Sequence, residues 1–298
     1  MKISKSSFSE YFYLAGFRYW TASILPAITG LTLPFWLDPP DFEFRIFESI
    51  LFLIATITCH AGFSFLYYGV QNQHRLKWRK SKLLLFGIIH LIATILIGLY
   101  LNRQLHLNSK VPSYIFIVYG VSVIFTGILY VAPPFYLSRR VFGEFVLSVG
   151  LGLLPVLGAY ILQAGDITRT VYLASLPLVI STGLWNWIIE LVKKETYENS
   201  GYKTTAMLFP FPISCRVITP ILIFALYTSL FLAVFGRSSL SPFSLAALVS
   251  LFFAWKIVRK AWKNEEIIDH LKIAGKYACL IHLTVGVGII MSSFSTLF

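Results

Sequence analysis

The sequence predicts an all-α integral membrane protein, a single bundle of about nine transmembrane helices around a central cavity. Three observations carry that reading. Of the 298 residues, 57% are hydrophobic and 13% charged, a charged share about half that of an ordinary soluble domain. The mean hydropathy is +0.74, and no soluble core of this length hides so much apolar surface, so the solvent is lipid. Runs long enough to span a bilayer recur along the whole chain, separated by short charged clusters and without any linker. Residues 1–298 are therefore read as one domain.

The runs follow in order. The first, 18–37, comes after a polar start containing Lys2 and Lys5. That start lacks the apolar stretch and small-residue cleavage site of a signal peptide, so the helix is read as retained. An acidic, proline-broken turn, Asp38-Pro39-Pro40-Asp41, leads to the second run, 48–71, which ends in polar and aromatic residues. Runs 83–101 and 114–132 lie in a stretch with no Asp or Glu between Glu48 and Glu144. Run 144–163 opens on Glu144, a charge suited to a helix N-terminus. Run 170–192 leads into the stretch Asn186 to Glu198, and runs 213–236, 241–255 and 273–294 complete the bundle. Interior Gly and Pro residues, among them Pro26, Gly30, Gly152, Pro155 and Pro177, serve either close helix packing or the walls of an internal cavity.

Charge gives the orientation. The formal net charge is +12, which in a soluble chain would suggest nucleic acid. Here the cations sit in the loops 72–82, 133–143, 193–205 and 256–272. Loops rich in Lys and Arg stay cytoplasmic, so the expectation is a plasma (inner) membrane protein with its N-terminus inside and its C-terminus outside. The partners expected are membrane lipid and small molecules, with a protein partner as a further option, and not nucleic acid. Cys59, Cys215 and Cys279 lie far apart in apolar runs and form neither a metal spacing nor a disulfide framework.

Ionisable groups beside membrane helices are costly and mark candidate sites. Asn186, Glu190, Lys194 and Glu198 are spaced by four, which puts them on one stripe if the sixth helix continues. They either neutralise one another as i,i+4 pairs or form an anion or metal site, with Lys203, Thr204 and Thr205 following after Gly201. Arg139 and Arg140 suit phosphate oxygens through their forked donors, or simply obey the positive-inside rule. Glu144 is in reach of either arginine. His60 and Ser64, one turn apart on the second helix, read as hydrogen-bonded packing residues or as site residues. Tyr67, Tyr68, Trp185 and Trp187 suit either cation–π contact or interfacial anchoring.

These stretches resemble the UbiA superfamily of intramembrane prenyltransferases, most closely its 1,4-dihydroxy-2-naphthoate polyprenyltransferase branch. Arg18 to Gly30 is similar to the family's opening Arg-Pro-x-Thr helix. Tyr130 to Glu144 is similar to its Tyr…Pro…Arg…Gly-Glu segment, which Gly150 to Tyr160 continues. Asn186 to Thr205 is similar to its second aspartate motif and trailing Gly-Lys-x-Thr. The resemblance implies that two aspartate clusters hold Mg²⁺, which clamps the diphosphate of a polyprenyl donor. The allylic C–O bond then breaks and an aromatic or quinone-precursor acceptor attacks.

This chain departs from that pattern where the chemistry lies. At the first motif's positions stand Ser64, Tyr68 and Gln71 or Asn72, none of them acidic. In the second, Asn186 is kept, Glu190 replaces the first Asp, Lys194 reverses a charge and Glu198 stands as the second acid. The resemblance thus implies Glu190 and Glu198 as catalytic and metal-ligating residues, with Mg²⁺ dependence altered or lost. Arg18, Ser64, Tyr68, Gln71, Asn72, Arg139, Arg140, Asn186, Lys194 and Lys203 are expected to bind substrate, the cations supplying the charge that metal would. Three function classes compete. One is a divergent prenyltransferase using a prenyl diphosphate. The second is a non-catalytic relative that binds an isoprenoid or quinone, or partners another membrane enzyme. The third is a transporter, which the gathering of polar clusters at one face disfavours.

Overall fold

The computed structural model describes residues 7–37, 43–71, 78–106, 112–236, 240–262 and 267–295. Asn72, Asp38, Asp41, Arg75 and Lys77 lie outside the described residues. The described residues form an all-α fold: α1 Ser7–Leu14, α2 Thr21–Leu37, α3 Ile46–Gln71, α4 Lys80–His106, α5 Ser113–Val131, α6 Gly143–Ala164, α7 Arg169–Glu198, α8 Phe211–Phe235, α9 Pro242–Lys260 and α10 Ile267–Ser293. Among the described residues, α3 to α10 are eight helices long and apolar enough to cross a bilayer, and α2 is a shorter apolar helix. The nine runs read from the sequence are these nine helices. Helix α7 continues past the apolar run to Glu198, because the i,i+4 polar stripe sustains helix beyond the lipid.

Packing is uneven. Helices α2, α6, α7 and α10 pack on one another at the centre, and α7 is the most buried of the eight spans. Helices α4 and α5 are the least buried. On α4, Leu85, Ile88, Ile89, Ile92, Leu96 and Leu99 face outward, an apolar surface that only lipid solvates favourably. Prolines shape α6 and α8: a π turn at Val149–Leu153 precedes Pro155, and another at Ser214–Ile218 precedes Pro220. A missing N–H at proline breaks the i→i−4 ladder, and the widened turn takes up the break.

Hydrogen bonds between helices replace the hydrophobic drive that lipid removes. The Ser23 hydroxyl on α2 donates to the Trp20 carbonyl, leaving its oxygen to accept from His60 Nδ1 on α3 at 3.0 Å. On the other side of α2, His282 Nδ1 on α10 lies 2.8 Å from the Ser181 hydroxyl on α7, and its Nε2 lies 3.3 Å from the Thr21 carbonyl. The two histidines therefore clasp the first turn of α2 from opposite sides. His60 takes the packing role that was one of its two sequence readings.

Candidate functional site

The polar groups converge where α3, α5, α6 and α7 end together. Glu190 is buried on α7, and its Oε1 accepts from Asn186 Nδ2 at 3.1 Å. Its Oε2 is buried with no hydrogen-bond partner. The carboxyl of Glu144, from the first turn of α6, faces it, and the Thr204 hydroxyl lies beside it. Thr204 is 1% exposed, and its hydroxyl is also without a partner. Glu190 Oε2 and the Thr204 hydroxyl thus face each other and the Glu144 carboxyl in a buried polar cluster.

Four tyrosines line this centre. Tyr67 from α3 lies within hydrogen-bonding reach of Gln71, Tyr197 and Tyr202. Tyr130, at the end of α5, faces Tyr67, Tyr197, Glu190 and Glu144. The rings of Tyr197 and Tyr202 stack 4.5 Å apart at 9°. The Arg139 guanidinium lies 5.1 Å from the Tyr202 ring and 5.3 Å from the Tyr136 ring, which holds its charge in a fixed position by cation–π attraction. Lys193 donates to the Tyr197 hydroxyl at 3.4 Å, and its charge faces Glu190.

The turn after α7 brings the remaining residues in. Gly201 has φ +75°, a left-handed conformation that L side chains adopt poorly, and it reverses the chain at the helix end. Lys203 N–H then donates to the Arg139 carbonyl at 2.8 Å, so the turn runs beside residues 139–144. The side chains of Arg140 and Lys203 are exposed at this rim.

The sequence-predicted residues divide. Asn186 meets Glu190, Gln71 meets Tyr67, and Lys203 pairs through its backbone with Arg139 and Arg140. Ser64 and Tyr68 are covered by the segment leading into α2: a Cβ on Gly16 would stand 2.6 Å from Ser64 Oγ, and the Tyr13 ring lies 5.7 Å from that of Tyr68. In the same segment, the Tyr19 ring lies 5.8 Å from that of Trp185. Arg18 is exposed, 5.9 Å from the Tyr13 ring. Lys194 donates to the Phe209 carbonyl at 2.7 Å and the Ala206 carbonyl at 3.4 Å, and pairs with Glu198 at 3.8 Å. Its ammonium is engaged in holding the turn. Trp187 points away from the centre and donates to Thr219 on α8 at 3.1 Å. Neither Glu144 nor Lys193 stood among the expected site residues. Their signals were the Gly-Glu pair of the α6 start, and the i,i+3 spacing of Glu190 and Lys193, which puts both on one face.

This geometry does not fit a metal ion shared by Glu190 and Glu198. Mg²⁺ in such sites takes one or two carboxylates per ion besides phosphate. Glu198 stands eight residues beyond Glu190, roughly 12 Å along the helix axis, and its side chain is 52% exposed on Lys194. The two do not share an ion. Glu144 is the acid beside Glu190, but both its oxygens receive protein donors, Thr205 and the Ala206 N–H. Among the described residues no three His, Cys, Asp or Glu side chains group to hold a metal.

Comparison with known proteins follows the same lines. The chain is similar in structure to a digeranylgeranylglyceryl phosphate synthase, with a TM-score of 0.67 at 15% identity, covering 96% of this chain and 98% of that one. A UbiA homolog from Aeropyrum pernix K1 gives 0.67 at 13% identity, covering 92% and 98%. A UbiA homolog from Archaeoglobus fulgidus bound to GPP and Mg²⁺ gives 0.56 at 14% identity, covering 95% and 100%. At such identities the likeness establishes the fold alone. No curated protein matches the chain by sequence. The pattern of the UbiA prenyltransferase family matches residues 75–273, more than half the chain. With its helices in that family's arrangement and eight of them able to cross a bilayer, this multi-pass integral membrane protein belongs to the UbiA prenyltransferase family.

Proposed function

We propose that the whole chain works as one prenyltransferase of the naphthoate type. It takes a prenyl diphosphate at the cytoplasmic end of the inner-membrane bundle and alkylates an aromatic or quinone-precursor acceptor without the two-metal clamp. One observation carries the reading: Lys203 and Arg139 are joined backbone to backbone at 2.8 Å, and the next residue, Thr204, lies against the buried Glu190. That juxtaposition supports a chamber with cations at its rim and a carboxyl at its floor. Arg139, Arg140, Lys193 and Lys203 meet the diphosphate oxygens, with guanidinium forks supplying paired donors. The allylic C–O bond breaks and its electron pair leaves with the diphosphate, whose growing charge the cations stabilise. The faces of Tyr67 and Tyr130 stabilise the allyl cation. The acceptor ring supplies the electrons of the new C–C bond, and the proton it loses passes to the facing Glu190 and Glu144 carboxyls, which together carry one negative charge.

Purified protein in lipid nanodiscs, given geranyl, farnesyl or geranylgeranyl diphosphate with 1,4-dihydroxy-2-naphthoate, is expected to release diphosphate and form the prenylated ring. Addition of EDTA is expected to leave that rate within about twofold, since the carboxylates present do not gather metal. Loss of turnover on chelation, restored by Mg²⁺, would refute the metal-free part. Lys203→Ala is expected to raise the donor KM by about tenfold, the scale of one charge-assisted contact, with the acceptor KM unchanged. A donor KM equal to wild type removes Lys203 from the site.

A second reading, a binder without chemistry, draws on the same centre. The stacked Tyr197 and Tyr202 rings and the fully engaged Glu144 give a mouth that is largely self-satisfied. Farnesyl diphosphate binding without release of diphosphate, with every acceptor tried, selects it.

A further inference from the structure

We infer that Glu144 is a positioning residue that fastens the turn 201–206 across the mouth of the bundle and, through it, sets Lys203 and Thr204 against Glu190. The inference rests on the prenyltransferase reading for its consequence, but not for its geometry.

An acid in the first turn of a helix ordinarily serves the N–H groups and dipole of its own helix. Glu144 does not. Its side chain is 7% exposed, and both oxygens face the turn that follows α7, some sixty residues later in the chain. Oε2 accepts from the Thr205 hydroxyl at 2.6 Å, and Oε1 accepts from the Ala206 N–H at 3.4 Å. The Thr205 hydroxyl is a relay, because it also accepts from the Phe142 N–H at 3.2 Å. One threonine thus ties the backbone before α6 to the carboxyl on α6.

Further bonds make the turn a strap. The Tyr202 N–H donates to the Tyr197 carbonyl at 3.0 Å, and the Lys203 N–H to the Arg139 carbonyl at 2.8 Å. Lys194 holds the far end through the Phe209 carbonyl. These bonds fix the two ends, and Glu144 fixes the middle, where Thr204 meets Glu190. A buried carboxylate that takes its donors from one strap cannot lose them without leaving charge unpaired in a low-dielectric site. The strap position and the Glu144 carboxylate are therefore energetically coupled.

The test compares wild type, Thr205→Val, Thr205→Ser and Glu144→Gln as full-length proteins in nanodiscs. Two quantities are read: the rate of tryptic cutting after Lys203, and the steady-state constants with farnesyl diphosphate. Thr205→Val keeps the side-chain shape and removes both bonds of the relay. It is expected to speed the cut after Lys203 and raise the donor KM, each by about tenfold, the scale of one lost charge-assisted hydrogen bond. The kcat at saturating donor and the acceptor KM should stay within about twofold, as expected where ground-state binding alone is lost. Glu144→Gln gives the same split, and Thr205→Ser restores wild-type behaviour. Cutting after Lys203 at the wild-type rate in Thr205→Val overturns the strap. Faster cutting with an unchanged donor KM overturns the positioning role, as does failure of Thr205→Ser to rescue. If wild type neither binds nor turns over farnesyl diphosphate, the prenyltransferase reading fails and the positioning role with it, while the Lys203 cut still decides the strap by itself.

Discussion

Glu190→Gln is expected to lower kcat by about a hundredfold, in the range seen when a positioned proton acceptor is removed, and to leave the donor KM within about threefold. The amide matches the carboxylate in size, and its oxygen still accepts from Asn186 Nδ2, so the local helix packing is preserved. What changes is the oxygen that faces the Glu144 carboxyl and the Thr204 hydroxyl, the place where the facing carboxyls take the acceptor's proton. An amide at that place takes no proton. If Glu190 were instead a metal ligand, the substitution would raise the donor KM and make turnover sensitive to Mg²⁺ concentration. Steady-state kinetics over a Mg²⁺ series separate the two. A kcat within threefold of wild type removes Glu190 from the chemistry altogether.

The separation of Glu190 from Glu198 also explains which parts of the site were legible in the sequence. The stripe at 186, 190, 194 and 198 was legible because helical periodicity is local, and α7 does run through all four positions. What the four side chains face was not, because their neighbours come from segments without periodicity. Lys194, expected at phosphate, turns to the Phe209 and Ala206 carbonyls, and the path of the 199–210 turn appears in no repeat or spacing. Glu144, the acid that does stand against Glu190, lies forty-six positions earlier. Its position as the first acid after a long acid-free stretch was visible, but its partners Thr205 and Ala206 were not. The spanning helices were legible for the opposite reason: lipid imposes one length and one chemistry on every span. At the first-motif positions the sequence told what is missing. Only packing tells that residues 13–16 cover Ser64 and Tyr68.

The crossing of α2 and α6 tolerates no enlargement, and there Gly30→Val is expected to destabilise the protein by about 3 kcal/mol or more, the upper range of overpacking. Gly30 on α2 faces α6 so closely that a Cβ would lie 2.2 Å from the Val156 carbonyl oxygen, 2.9 Å from the Val156 carbonyl carbon and 2.7 Å from Ala159 Cβ. Two of these atoms are backbone and the third is a methyl that cannot rotate away, so the helices must separate. Around the crossing, Ala27 and Leu31 of α2 pack with Ala159, Ile161 and Leu162 of α6. In lipid that packing has no hydrophobic substitute, since a separated helix face is solvated by acyl chains. Separation at Gly30 also pulls on the first turn of α2, which His60 and His282 hold from either side, so the effect spreads to α3, α7 and α10. Gly120→Val on α5 is the control: a Cβ there meets nothing within 4 Å, so valine displaces no neighbouring helix. Heating both variants in nanodiscs and measuring the fraction that remains monodisperse compares them directly. A Gly30→Val protein that melts with Gly120→Val and wild type would mean that α2 and α6 do not cross at this glycine.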